Sequence, residues 1–545
     1  MKHDVRPERM ARHGLALAIG LLLGVPFSAY AQDAAPAKAP ETFDVNEYLV
    51  DGNTALQSLD IETAVYPFLG PGKSMNDVNA ARDALQKAYQ ARGYQSVVVE
   101  LPPQQVKGGV IHLQVLENTI GHVKVEGAKY HSPQEIRDAV PALAEGTLPN
   151  FKDAQDQLGQ VNRQSGRQVV PLLTPGTMPD TMDVTLKVDD TSPWHGSLEA
   201  NNDHSVNTPE LRTVASVRND NLFQKGQVAS FTYIVAPADR QSSEVYAGSY
   251  MAPLSANWSI LGSAYKSNSN ANTVGGTTVL GKGNAFGFQL IRTLATLGTY
   301  SQSLNLGVSR KHFDQNISQG EAESKSPITY IPFTATYNGQ STGDKSNTSI
   351  AIGATFGMRA GGSDATAFDN QRFQAKADFF YLKSDFGHAY TFDNGFSLAT
   401  RASAQLSTTS LVSSEQFAAG GDSTVRGYLE AEDTADHGLI GSVELRTPSI
   451  GSHLGQWAND LRFHAFVDGA HLVLSNALAQ PVDVNDPSRG DVRHTSFDLL
   501  SAGLGTRFQV FNILTGAFEL AYPLKDGQTT KAHDTRIHFS LRADL

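Results

Sequence analysis

The last ten residues, Arg536 to Leu545, alternate without a break. Ile537, Phe539, Leu541, Ala543 and Leu545 fall on one face, and His538, Ser540, Arg542 and Asp544 on the other. A period of two describes a strand with one oily side and one wet side. In a soluble sheet the oily side faces a core. Here the pattern recurs from about residue 195 to the end, which predicts a β-barrel whose oily side faces lipid.

The first 31 residues read as a secretory signal peptide. Arg6, Arg9, Arg12 and His13 precede an apolar run from Leu15 to Phe27, and Ala29-Tyr30-Ala31 supplies a small-x-small cleavage site before Gln32. The run is short for a bilayer span and is interrupted by Pro26, so an anchor helix is the weaker reading. Elsewhere the sequence holds no stretch apolar enough for a transmembrane helix, so a membrane protein of this sequence crosses with strands. The formal charge of −12 falls to −14 once the leader, with its four Lys/Arg and two Asp/Glu, is removed. An acidic chain of this kind argues against nucleic acid as a partner. With no cysteine there is no disulfide framework, thiol nucleophile or cysteine metal site.

Residues 32–42 read as a short flexible segment. Two similar units follow, at 43–118 and 119–192, each predicted in the order strand, helix, helix, strand, strand. In the first, Glu47 to Val50 is a strand and 55–68 is helical. Ser74 with Asp77 then opens a helix whose apolar face is Val78, Ala81, Leu85, Ala88 and Tyr89, and Gly93 ends it. Strands are predicted at 96–101 and 110–116. In the second unit, 120–125 is a strand. Ser132-Pro133-Gln134-Glu135 is a capping box opening a helix to about Leu143, a further helix covers 152–164, and strands follow at 168–173 and 182–188.

Val50-Asp51-Gly52-Asn53-Thr54, Ala88 to Tyr94, and Leu101-Pro102-Pro103-Gln104 ahead of Gly108-Gly109-Val110-Ile111 resemble POTRA domains, specifically the ShlB-type variant. Val125-Glu126-Gly127 and Leu148-Pro149-Asn150 match likewise in the second unit. Pro193-Trp194 marks the boundary to a barrel at 195–545, with Trp194 an interfacial aromatic. Sixteen strands are expected, beginning near Ser197, Arg212, Gln227, Ser243, Asn257, Thr278, Ser301, Tyr330, Ser346, Phe373, Phe396, Leu439, Leu461, Ser501, Leu514 and Arg536. Sixteen tilted antiparallel strands leave an aqueous lumen. The fold class is thus an all-β transmembrane barrel of sixteen antiparallel strands behind two small α/β POTRA domains.

The most informative segment is the connection between the eleventh and twelfth strands, about 409–438. Loops of this length are uncommon and usually functional. It contains Gly420-Gly421-Asp422-Ser423-Thr424-Val425-Arg426-Gly427-Tyr428. The glycines permit a tight tip carrying Arg426, and an arginine there can reach into a lumen and bond a carboxylate through two N–H groups. In strand thirteen, alternation separates Leu461, Phe463, Ala465 and Val467 from Arg462, His464, Phe466 and Asp468, so Asp468 faces the lumen. In strand twelve it places Glu444 and Arg446 inside and Val443 and Leu445 outside. In strand fifteen, Glu519 opposes Phe518, Leu520 and Tyr522.

Val425-Arg426-Gly427-Tyr428 is similar to the loop-six motif of two-partner secretion transporters, the haemolysin secretion/activation family (ShlB/FhaC/HecB-like). Phe466-Val467-Asp468 is similar to the start of that family's F-x-D-x-G motif on strand thirteen. The resemblance covers about 43–545. It implies that the loop folds back into the barrel and that Arg426 meets Asp468 there. Ala470 stands where that motif has glycine, which bears on the local backbone. Only about ten residues separate the cleavage site from Phe43, so an intraluminal plug helix is not expected and loop six is the expected occupant of the resting pore.

The resemblance further implies an outer-membrane pore, with POTRA domains in the periplasm, that binds and exports a secreted exoprotein using the energy of its folding outside. A monomer in contact with outer-membrane lipid is expected, with no cofactor, no metal and no enzymatic activity. His204, His312, His388 and His464 are scattered, without metal-ligand spacing. There is no G-x-S-x-G and no phosphate loop. The competing readings are an outer-membrane protein insertase of the same superfamily and a barrel enzyme, the latter lacking any readable rim constellation.

Overall fold

The computed structural model describes residues 42–545 except 163–165, 269–270, 275–276, 281, 320–321 and 482–490. The expected signal peptide, the segment up to residue 41 and the question of a plug helix lie outside the described residues. The chain divides into two compact units, one holding the residues up to Ala91 with Val97–Glu117, the other Arg92–Ser96 and Asn118–Leu545.

In the first unit Glu47–Asp51 pairs in parallel with Val110–Leu116, which pairs antiparallel with Val98–Glu100. The helix Met75–Ala91 buries Val78, Ala81, Leu85 and Tyr89, the 3–4 spacing that its sequence shows. Ser74 opens it, donating from N–H and Oγ to Asp77 Oδ2 at 2.8 and 2.7 Å. A second small sheet was not legible: Phe43–Val45 pairs with Gly70–Lys73. The run Gly-Pro-Gly-Lys has turn composition, and it is tied down by the Gly72 N–H donating to Asp44 Oδ1 at 3.0 Å.

The second unit begins with a like module. Thr119–Glu126 runs parallel to Thr181–Asp190, which pairs antiparallel with Arg167–Pro175. The predicted helix from the capping box is shorter than expected. It covers Pro133–Asp138, followed by a separate 3₁₀ turn at Pro141–Leu143. Pro141 has no N–H to continue the helical ladder and disfavours helical geometry at Val140 before it. The second helix is Phe151–Val161, with Asn150 accepting from the Lys152 and Asp153 amides.

Sixteen antiparallel strands then close into a barrel, from Trp194–Asn201 to Arg536–Asp544. The closing seam pairs Ser540–Asp544 with Ser197–Asn201. Above it the Asn202 side chain continues the ladder, donating to Ile537 O at 2.7 Å and accepting from Phe539 N–H at 2.8 Å. Phe231, Phe288, Leu306, Ile352, Phe386 and Leu504 are exposed on the outer face, the face that alternation assigns to lipid.

Four strand starts differ from expectation by four residues or more, one of them the fourteenth, which begins at Ser496 and not Ser501. The sixth strand is Lys282–Thr293, while Thr278 lies in a separate hairpin of Ala271–Val274 with Thr277–Leu280. The eighth begins at Ala322, because Ala322–Thr342 and Tyr300–Gln319 form one long hairpin whose distal sequence shows no apolar alternation. The tenth begins at Phe380, not Phe373. Residues Ala365–Gln371 are a helix capped by Asp364. Ala375, Ala377 and Phe379 alternate as a strand does and are buried with Phe368 against Phe313, Ile328 and Tyr330 of the barrel, ahead of the ladder, which begins at Phe380.

At the end of the second module, Asp190 gathers three consecutive amides: Lys129, Tyr130 and His131 donate to its carboxylate at 3.0, 2.8 and 3.1 Å, with His131 Nδ1 at 3.3 Å. Burial alone would raise this carboxyl; the Tyr130, Lys129 and His131 donors outweigh it and hold it below the usual range. A depressed carboxyl contributes stability that is complete above its unfolded value of about 4 and is lost as pH falls through the lower folded value. Asp190→Asn is expected to destabilise this module by about 1–3 kcal/mol at neutral pH. Pulse proteolysis of the full-length protein in urea measures it, and the difference from wild type should vanish in acid.

Candidate functional site

The connection between the eleventh strand (Ser397–Ser407) and the twelfth (His437–Arg446) carries its own structure. A 3₁₀ turn at Ser413–Glu415 leads into a hairpin of Phe417–Ala419 with Asp433–Ala435. At its tip Gly420 and Gly427 have φ of +110° and +92°, which side chains with a Cβ rarely adopt. A Cβ on Gly420 would also meet Leu429 O at 2.4 Å. The tip is apolar as well as charged. Phe417, Ala419, Val425, Tyr428 and Ala435 pack against the inward faces of Ile440, Ala470, Leu472 and Leu499 on the wall. Val425 and Tyr428 are fully buried. The Tyr428 hydroxyl lies 2.9 and 2.8 Å from the carbonyls of Leu500 and Lys525.

Between Val425 and Tyr428 the structure brings Arg426 and Asp468 together inside the barrel, Asp468 standing on the thirteenth strand (Ala458–Val473). Arg426 is 1 % and Asp468 0 % exposed. Arg426 Nε donates to Asp468 Oδ2 at 2.7 Å and Nη2 to Oδ1 at 2.9 Å, a two-pronged pair, and the Arg426 amide adds a bond at 3.2 Å. Nη1 donates to Glu444 Oε2 at 2.7 Å and to Glu519 Oε1, on the fifteenth strand (Leu514–Pro523), at 3.3 Å. The guanidinium carbon stands 3.4 Å over the Phe466 ring, a cation–π contact. The neighbouring Gly427 N–H donates to His538 Nε2 at 2.8 Å.

The surroundings complete the charge balance. Arg446 Nε donates to Glu444 Oε1 at 2.6 Å, Arg507 reaches Glu444 and Glu519, and Ser442 Oγ donates to Asp468 Oδ1 at 2.7 Å. Three carboxylates therefore face three guanidiniums, which makes a buried ionic cluster tolerable. Glu444, His464 and Glu519 place ligand-type atoms within 4.8 Å of one another, but Arg426 and Arg507 already supply the positive charge there. His464 is thus not a scattered histidine: its Nε2 lies 2.9 Å from Glu519 Oε1. Ala470, the departure from the glycine of the motif, leaves the strand unbroken. It pairs in register with Ile440 and its methyl group packs under the loop tip.

Sequence reasoning put Glu444 inside and Glu519 opposite the oily face but joined neither to Arg426. It missed Arg507 in this role, and it put His538 on the wet face without joining it to the loop tip. It also missed the feet of the loop. Asp436, fully buried, takes Arg372 through two bonds of 2.6 and 2.8 Å and accepts the Leu411 and Ser475 amides. Glu415 takes Lys311 at 2.5 Å and the Tyr381 hydroxyl at 2.8 Å.

Removing Arg426 leaves Glu444, Asp468 and Glu519 with Arg446 and Arg507 alone. Arg426→Ala is expected to weaken docking of the tip by about 3–5 kcal/mol, the cost of stranding a buried charge. Arg426→Lys keeps the charge but loses the two-pronged geometry and should fall between. Limited proteolysis of the loop in the inserted barrel checks this. Unchanged protection in Arg426→Ala, with heat-modifiability intact, would show that the cluster does not hold the tip.

The family model of the haemolysin secretion/activation protein ShlB/FhaC/HecB matches residues 180–478, and that of the ShlB-type POTRA domain matches residues 43–118. The outer membrane transporter CdiB of Escherichia coli is 29% identical over 191 residues, 34% of this chain and 32% of that one, so the match spans about a third of that relative's length. CdiB of Dickeya dadantii (strain 3937) is 23% identical over 456 residues, 80% of this chain and 78% of that one. Among solved structures, CdiB from Escherichia coli superposes with a TM-score of 0.64 at 19% identity, covering 95% of this chain and 93% of that chain. BamA from Haemophilus ducreyi lacking POTRA domains 1–3 gives 0.53 at 14% identity, covering 93% and 100%. These two likenesses show the shared barrel fold. The matched family model spans the end of the second module and the barrel through the whole of loop six, and the chain belongs to the haemolysin secretion/activation family ShlB/FhaC/HecB, outer-membrane barrels with POTRA domains in the periplasm.

Proposed function

We propose that this barrel exports a partner exoprotein from the periplasm to the cell surface, as one half of a two-partner secretion pair. The observation that carries the reading is the inward loop, clasped to the wall by Arg426 in a barrel that follows a ShlB-type module. A barrel for passive diffusion needs neither feature. The POTRA modules capture the unfolded passenger by adding an extended segment to a sheet edge. The lumen conducts it, and folding outside supplies the direction. Arg426 and Asp468 form the lock between loop and wall, with Val425, Gly427, Tyr428 and Phe466 shaping it. No step needs covalent chemistry or a cofactor, and a single chain in outer-membrane lipid suffices.

Insertion of other barrels into the membrane is the second reading. It is favoured by the BamA-like fold and by a short seam, whose backbone bonds run only from Gly196 to Asn202 on the first strand. Lateral release through that seam would also have to break the Asn202 bonds to Ile537 and Phe539, which counts against it.

Deleting residues 43–118 is expected to abolish export and leave a conducting barrel, because the strand ladder closes with residues from Trp194 onward. An open pore has no affinity for a passenger; main-chain hydrogen bonds are gained only where a sheet edge is offered. Secretion assays beside planar-bilayer conductance separate the two. Export that survives the deletion would remove the first module as receptor.

A further inference from the structure

Arg426 is seated in a set of side chains that suits a metal ion. Glu444, His464 and Glu519 reach inward from the twelfth, thirteenth and fifteenth strands. Each places one ligand-type atom within 4.8 Å of the other two, and all three residues are buried. Arg426 Nη1 bridges the two glutamates, 2.7 Å from Glu444 Oε2 and 3.3 Å from Glu519 Oε1. His464 Nε2 stands 2.9 Å from that same Glu519 oxygen. A guanidinium nitrogen thus holds the place that a bound cation would take.

The arginine does not satisfy the whole cluster. Glu519 is 3 % exposed, yet its Oε2 receives no hydrogen bond, and a buried carboxylate oxygen ordinarily has a donor. Beside it lies the Asp422 carboxyl of the loop, another acid. Without Arg426, the carboxylates of Glu444, Asp468 and Glu519 keep only Arg446 and Arg507, which leaves one negative charge in excess. One imidazole with two carboxylates is a donor set for zinc and its first-row neighbours, whereas calcium and magnesium take oxygen. Ligand atoms bound to zinc at about 2.0–2.2 Å stand roughly 3.3–3.6 Å apart, so the three atoms need to close by about an ångström, within reach of two glutamate side chains. Arg446 and Arg507 are partly exposed. The cluster therefore borders lumen water, through which an ion can enter.

We propose that Glu444, His464 and Glu519 form a binding site for one divalent first-row transition-metal ion of the Zn²⁺ class, and that this ion and Arg426 exclude each other. Glu444 Oε2, His464 Nε2 and the donor-free Glu519 Oε2 are the protein ligands, and water completes the tetrahedron. Seated in the cluster, the Arg426 guanidinium closes the site. A bound ion takes up the excess negative charge and removes the reason for the arginine to sit there. By linkage, each occupant weakens the other by the same factor. The site is independent of what the barrel exports.

The chain has no cysteine, so zinc binding reports on histidine and carboxylate sites alone. The full-length protein, purified without a histidine tag and folded in detergent micelles, is titrated with Zn²⁺ in equilibrium dialysis. Wild type, Arg426→Ala and Arg426→Gln are compared, with heat-modifiability showing that each barrel is folded. The expected result is one Zn²⁺ more in both variants than in wild type at the same free concentration. Adding His464→Gln should weaken that extra ion at least about tenfold, since even the neighbour of a metal ligand is worth as much. Equal zinc binding in wild type and both variants, or an extra ion untouched by His464→Gln, overturns the site. A second readout needs no change at position 426. In wild type, Zn²⁺ at the concentration that saturates the variants should increase cleavage of loop six by trypsin, and His464→Gln should abolish the increase. Cleavage unchanged by Zn²⁺ in wild type overturns the competition between metal and arginine.

Discussion

Closure of the strand ladder is the constraint on which the rest of the structure depends. In hydrocarbon an unpaired N–H or C=O has no water to turn to, so a membrane-spanning sheet must have no open edge. Here the last strand meets the first over Ser540–Asp544, and the Asn202 amide stands in for backbone where the ladder would otherwise end. Once the ring is closed, alternation has only one use: every second residue faces lipid and every other one faces water. The inner wall is therefore free to hold charges that no soluble core of this size would accept, and the mechanism is written on that wall.

A closed ring of sixteen strands encloses more space than its own side chains fill, and loop six is what occupies part of it. Its tip combines an apolar contact, through Val425 and Tyr428, with the ionic contact of Arg426. The two do different work. Packing of Phe417, Val425 and Tyr428 against Ala470 and Leu472 removes apolar surface from water without fixing a register. The two-pronged pair with Asp468 fixes position, because a planar fork accepts few geometries. A buried cluster of this kind is weak evidence for net stability, since desolvation offsets much of the Coulomb attraction. Its asymmetry is more telling: the assembled cluster costs little, while a cluster lacking one member leaves a charge without a partner. Such a cluster specifies where the tip sits more than it adds to general stability.

How much of this was legible depends on range. The helix Met75–Ala91 and the faces of strands twelve and thirteen follow from local periodicity, which each residue reports through its neighbours in sequence. The pairing of Arg426 with Asp468 came from a motif resemblance, since nothing within the loop names a partner 42 positions away. Glu444 and Glu519 were both read onto the wet face, yet which inward carboxylates meet the arginine is decided by the stagger of four strands, and no single strand encodes that stagger. Two of the strand starts that failed have a physical reason. Phe373 precedes a buried period-two run that packs ahead of the ladder, which begins at Phe380, and the sequence around the start of the eighth strand shows no apolar alternation. Gly70–Lys73 has turn composition and becomes a strand only because Phe43–Val45 lies beside it.

The feet of the loop bring these threads together. Asp436 and Glu415 flank the hairpin, and each has its own cationic partner, Arg372 and Lys311. Neither partner is shared with the Arg426 cluster, so the three attachments are energetically separable to the extent that independent sites are additive. Arg372 also donates to the Leu411 and Ser475 carbonyls, tying the foot to the start of the loop and to the end of the thirteenth strand. The segment between the feet is therefore held at its tip by one set of contacts and at its base by two others, one to the seventh strand and one to the end of the helix Ala365–Gln371. Loss of the Arg426 contacts leaves both base attachments in place, and with them the connection of the eleventh strand to the twelfth. The ring therefore stays closed independently of the tip contacts, and that separation is encoded in which carboxylate each cation was given.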